Sequence, residues 1–234
     1  MVMVPEPSKD ERVDDLHVAR DGLAALNRGD IAILAVFAVV KITVHLLTNG
    51  RYGYFRDEFY YLDCAEHLAW GYVDHPPLSI AVLALTKSLL GTSIPALRLP
   101  AVLAGAGTVV LTGLIARAMG GGRFAMVLAC LSVLIAGVFL AMGTFFSMNA
   151  LDQFFWALCG LILVRIIVTG NSRLWLWFGV VAGIGLLNKI SVLFLGFGVV
   201  VGLILTPHRR CFRSGYLWLG GLVALLIFLP HVLW

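Results

Sequence analysis

Two adjacent acids, Asp57 and Glu58, stand among aromatic residues in the segment Tyr54-Phe55-Arg56-Asp57-Glu58-Phe59-Tyr60-Tyr61. On one helix, neighbouring side chains point about 100° apart, so the two carboxylates cannot serve one atom in the same way. One can accept a proton while the other holds hydroxyl groups or a cation. The same pair also fits the first turn of a helix, where negative charge favours the macrodipole, and spacing alone leaves both readings open. Further along, Asp74 and His75 precede Pro76-Pro77, and prolines disfavour helical backbone in the residue before them. That stretch is therefore extended and stiff, with its side chains fixed in direction. Asp152 and Lys189 stand at the ends of apolar runs. Asp152 can be a functional acid, a helix-start charge or half of an ion pair. Lys189 can be a functional cation or a lysine that extends to the interface. Arg98, in Leu97-Arg98-Leu99-Pro100, is the other cation available on the same side as these acids under the orientation derived below.

The elements that carry these residues follow from composition. Of 234 residues, 60% are hydrophobic and 13% charged, and the mean hydropathy is +0.95. So few polar side chains cannot cover a soluble fold of this size, which excludes a soluble enzyme, a nucleic-acid module and a disordered chain. The expected class is an all-α polytopic membrane protein. A bilayer crossing takes about 20 mostly apolar residues, and seven spans are expected, near 31–48, 96–117, 124–142, 147–168, 173–188, 190–206 and 215–233. Gly143 and Thr144 mark a turn between the third and fourth. Residues 1–30 form a polar tail, and 31–234 a transmembrane domain with a long insertion, 49–95, after the first span. The four cysteines are widely separated, so neither a disulfide framework nor a zinc site is indicated.

Lys and Arg fix the orientation through the positive-inside rule. With a cytoplasmic N-terminus, Lys9, Arg12, Arg20, Arg28, Arg117, Arg123, Arg165, Arg173, Arg209, Arg210 and Arg213 lie inside. Only Arg51, Arg56, Lys87, Arg98 and Lys189 lie outside, with Lys41 inside the first span. This orientation gathers every acid beyond residue 30, namely Asp57, Glu58, Asp63, Glu66, Asp74 and Asp152, on the outer side. Within the insertion, Phe55, Phe59, Leu62, Ala65 and Ala69 recur at helical spacing from Asp57 to Trp70, as in an amphipathic helix along the membrane surface, with Gly71 as its C-cap. A second short helix over Leu78–Leu90 is expected at the interface.

Taken in order, Arg56-Asp57-Glu58-Phe59-Tyr60-Tyr61, Gly71-Tyr72-Val73-Asp74-His75-Pro76-Pro77-Leu78 and Leu97-Arg98-Leu99-Pro100 resemble the N-terminal half of GT-C glycosyltransferases that use polyprenyl-phosphate sugars. These are the family 39 relatives of protein O-mannosyltransferases and of lipid A aminoarabinose transferases. The likeness extends more weakly through Asn149 to Phe155 and Gly185-Leu186-Leu187-Asn188-Lys189.

The resemblance implies an inverting glycosyltransferase in the plasma (inner) membrane, with its active site on the outer face and a lipid, glycan or protein as acceptor. By the same resemblance Asp57 is the general base and Glu58 its partner, and Asp74, His75, Asp152 and Lys189 lie at the substrate. His75 stands where the aminoarabinose transferases usually carry a lysine near the lipid phosphate, and neutral imidazole is the weaker anion partner. Displacing the phosphate calls for positive charge on the leaving group, for which Arg98 and Lys189 are the outer cations. No nucleotide is required, no cofactor is implied beyond a possible divalent cation, and no nucleic-acid partner is expected. Two other readings stand beside it: a transporter or flippase-like binding protein, and an inactive C-terminally truncated fragment, since such enzymes are usually much longer. The absence of half-to-half similarity argues against the transporter.

Overall fold

The computed structural model describes residues 26–234, so most of the expected polar tail, with Lys9, Arg12 and Arg20, lies outside the described residues. Every element among the described residues is helical. The first helix, α1 (Arg28–Thr48), starts before the expected Ile31 because Asn27 and Asp30 cap it reciprocally, each side chain accepting the other's backbone N–H at 3.0 and 3.2 Å. Asp30 therefore belongs to the helix and not to the tail. It is buried and pairs with Arg123 at 3.3 Å and Arg117 at 3.7 Å, which ties the start of α1 to the neighbouring helix ends.

The insertion folds as α2 (Arg56–Glu66) and α3 (Leu78–Leu90). The first of these stops before the expected Gly71. His67 leaves helical geometry at φ −127°, and the Tyr72 hydroxyl donates toward the carbonyls of Cys64 and His67, substituting for the next helical turn. There follow α4 (Ile94–Ala118), α5 (Arg123–Ile135), α6 (Gly137–Met142), α7 (Met148–Thr169), α8 (Leu174–Asn188), α9 (Val192–Leu205), a 3-10 turn (Pro207–Arg213) and α10 (Gly215–Leu233).

Four helices, α1, α4, α7 and α10, are long and apolar enough to cross a membrane, and the bent pair formed by α9 and the 3-10 turn adds a fifth if counted as one span. Of the seven expected spans, four or five meet that measure. The expected span 124–142 is broken at Ala136, which adopts extended geometry (ψ 126°) between α5 and α6. The 15 residues of α8 reach only about 22 Å at 1.5 Å per residue, short of a hydrocarbon core of about 30 Å.

At the centre, α4 packs against α1, α5 and α7, while α8 joins α7 to α10. The α8–α10 contact is close because Gly179 and Gly220 bring the two backbones together, leaving no room for a Cβ on either. At one end of the bundle, Tyr61, Cys64 and Ala65 of α2 and Ile80 and Leu83 of α3 bury against Leu97 of α4 and against Phe146. This cluster fixes the insertion to the bundle.

Candidate active site

The end of the bundle that carries the insertion is organised by a buried ion pair. Glu58 sits in the first turn of α2 and Arg98 in the second turn of α4, with side-chain exposures of 0% and 2%. Arg98 donates from Nε to Oε1 and from Nη2 to Oε2 of Glu58, both at 2.8 Å, the bidentate form that suits a guanidinium. Its remaining reach goes to the carbonyls of Asn49 (2.7 Å) and Gly53 (2.8 Å). Glu58 also accepts the backbone N–H groups of Phe55 (2.7 Å) and Phe146 (2.8 Å). The pair thus joins the end of α1, the following loop, α2, α4 and the segment before α7. Both side chains direct these hydrogen bonds inside the protein.

Asp57 is in a different environment. One position along α2, its side chain is 43% exposed, and its partner is the neighbouring Arg56 at 3.1 Å, itself 90% exposed. A cavity of about 390 Å³ opens at the start of the same helix, its lining including Tyr52, Tyr54, Phe55, Arg98, Thr144 and Phe145. Farther along α2, Glu66 pairs with Lys87 of α3.

Asp74 is exposed, whereas His75 is buried against the rings of Tyr60, Tyr61 and Tyr72 at centroid distances of 5.8, 5.1 and 5.3 Å. The Nδ1 of His75 lies 3.0 Å from the Pro76 carbonyl, which only an N–H can satisfy, and Nε2 has no partner. Burial pushes the Tyr60 hydroxyl up to about 12, helped by Cys64 and by the charge of Asp74. The Tyr61 hydroxyl is also raised, by burial first and then by Asp57 and Asp74, against a hydrogen bond with the backbone of Met148. The Tyr61 ring packs edge-on against Phe146, in the segment just before α7, at 5.7 Å.

A second polar group sits where α7 meets the turn between α8 and α9. Ser191 Oγ donates to Asp152 at 2.6 Å, and Lys189 Nζ donates to Asn149 at 2.6 Å while lying 3.9 Å from the Asp152 carboxylate. Buried Asn188 donates to the carbonyl of Met148 at 2.9 Å. The Lys189 side chain remains 33% exposed. Phe146, which packs against Tyr61 and donates to Glu58, and Asn188, which donates to Met148, link this group to the insertion, so Asp57, Asp74, Asp152 and Lys189 lie toward the same end of the bundle. Tyr61, Asn149 and Asn188 lie within the motif segments without a role assigned to them from sequence, and Ser191 lies outside those segments. Nothing in the spacing of Ser191 marks it as the partner of an acid 39 residues earlier. Among the described residues, no three His, Cys, Asp or Glu side chains gather as they would around a metal ion.

Residues 74–234 match the family model described as dolichyl-phosphate-mannose-protein mannosyltransferase. The matched region includes Asp74, His75, Arg98, Asp152 and Lys189, and begins after Asp57 and Glu58. No curated protein and no solved structure matches the chain.

Proposed function

The chain belongs to the dolichyl-phosphate-mannose-protein mannosyltransferase family and is a multi-pass membrane glycosyltransferase of the GT-C type, and we propose that it transfers a sugar with inversion from a polyprenyl-phosphate donor to an acceptor on the outer face of the plasma membrane. The supporting observation is that the half-exposed Asp57 carboxylate and the part-exposed Lys189 ammonium lie toward the same end of the bundle, linked through the packing of Tyr61 on Phe146 and the hydrogen bond from Asn188 to Met148. An acceptor hydroxyl attacks the anomeric carbon while the bond from that carbon to the phosphate oxygen breaks. The electron pair leaves with the polyprenyl phosphate, and the acceptor proton passes to Asp57. Lys189 meets the charge that develops on the phosphate, where a fixed cation contributes most. Asp152 and Asn149 aim that ammonium.

Glu58 and Arg98 hold the helix that presents Asp57, and His75 stiffens the turn that presents Asp74 to sugar hydroxyls. The cavity beside Phe55 and Phe145 gives the acceptor a route to α2.

The test is to reconstitute the protein with radiolabelled polyprenyl-phosphate sugar and an acceptor. Label joined to acceptor supports a transferase, and label that crosses the bilayer on unchanged donor supports a transporter instead. Single-cysteine accessibility should place Asp57 to Pro77 outside and Arg117 to Arg123, with Arg209 to Arg213, inside. Labelling of positions 209–213 from outside would reverse the orientation and move the site to the cytoplasm. Lys189→Ala should lower kcat, because the charge it meets develops on the phosphate in the transition state, and should also raise the donor KM, because the bound phosphate is already anionic. An unchanged KM and kcat would remove Lys189 from the phosphate.

A further inference from the structure

The break at Ala136 leaves a short helix, α6, whose last carbonyls have no helical partner. Two are taken by the backbone turn, Gly143 N–H donating to Leu140 and Thr144 N–H to Ala141. The Phe139 carbonyl receives the ammonium of Lys41 at 2.8 Å, and the Gly143 carbonyl receives the side-chain amide of Asn49 at 3.0 Å. Lys41, His45 and Asn49 succeed one another at i, i+4 and i+8 on one face of α1, and all are buried. A lysine inside an apolar span is costly unless something retains it. Lys41 is fully enclosed, so it does not extend to the interface, and its charge lies at the negative end of α6. Two glycines make the room: a Cβ on Gly105 would crowd the Lys41 chain, and one on Gly143 would overlap the His45 ring.

The consequence reaches the acidic end. Asn49 offers its own carbonyl to Arg98 at 2.7 Å, while Phe146, three residues beyond Gly143, donates its N–H to Glu58. The next residue, Ser147, opens α7, which carries Asn149 and Asp152. We propose that Lys41 and Asn49 are positioning residues that clamp the end of α6 to α1 and so set the placement of α7, with Asp152 and Lys189, relative to the helix of Asp57. That this placement governs sugar transfer rests on the function proposed above; the clamp itself does not.

Hydrogen–deuterium exchange on the full chain in detergent tests the clamp directly. Lys41→Met, which keeps an unbranched side chain one atom shorter and loses its donors, should raise exchange in residues 139–147 by about tenfold or more, the loss expected for one charge-assisted hydrogen bond. Lys41→Arg, which restores a donor, should bring it back toward wild type. Asn49→Ala should raise exchange over 143–147 alone. In the transfer assay, Lys41→Met should lower kcat with little change in donor KM, and Lys41→Arg should recover it. Unchanged exchange at 139–147 in Lys41→Met overturns the clamp, and so does a uniform rise along the whole chain in both Lys41→Met and Asn49→Ala. Altered exchange with unaltered kcat overturns the link from the clamp to the site.

Discussion

Glu58→Gln should destabilise the protein severely, by about 3–5 kcal/mol, because it leaves the Arg98 guanidinium buried without its counter-charge. The substitution also replaces one carboxylate oxygen with an NH2 group that cannot accept, so either the Phe55 or the Phe146 N–H loses its acceptor. Arg98→Met should cost a similar amount from the opposite side, since it strands Glu58 and frees the Asn49 and Gly53 carbonyls. Removing both charges together, as in Glu58→Leu with Arg98→Met, should cost less than the sum of the single changes, because no charge is left uncompensated. Thermal unfolding of the purified protein in detergent reads all three. Wild-type stability in Glu58→Gln would mean that the pair does not hold the insertion.

Asp57→Asn should behave in the opposite way, leaving the fold intact and removing activity. Its carboxylate is half exposed and its one ion pair is with a solvated arginine, a pairing that contributes little to stability. The amide keeps the shape of the side chain but cannot take the acceptor's proton, and loss of a general base typically lowers the rate by about 100-fold to 10,000-fold. Asp63→Asn, farther along the same helix, should stay within a few-fold of wild type. Near wild-type transfer by Asp57→Asn would pass the role of base to Asp74 or Asp152, the other acids at this end.

The contrast between these neighbours shows what sequence can and cannot convey. Composition and runs of apolar residues were enough to indicate a helical membrane protein, and turn residues located α3 and the Gly143 turn correctly. The adjacency of Asp57 and Glu58 implied that they would point in different directions. It could not say which would be buried, because that depends on Arg98, 40 residues away along the chain. The expected end of α2 failed for a similar reason: the Tyr72 hydroxyl, not the cap signal at Gly71, terminates the helix. The break at Ala136 has no proline to announce it, so the expected third span reads as continuous. Lys41 looked like an interruption of the first span, and only the freed carbonyl of Phe139 explains why it is there.

The most direct measurement is single-turnover transfer in right-side-out vesicles carrying either the wild-type chain or Asp57→Asn, loaded to equal bound radiolabelled polyprenyl-phosphate sugar, with acceptor supplied only outside. This mechanism predicts label on the external acceptor with the wild type, in the inverted anomeric configuration, and a rate at least about 100-fold lower with Asp57→Asn at the same donor occupancy. Equal rates for the two proteins, or label that reaches the outside only on unchanged donor, would contradict it.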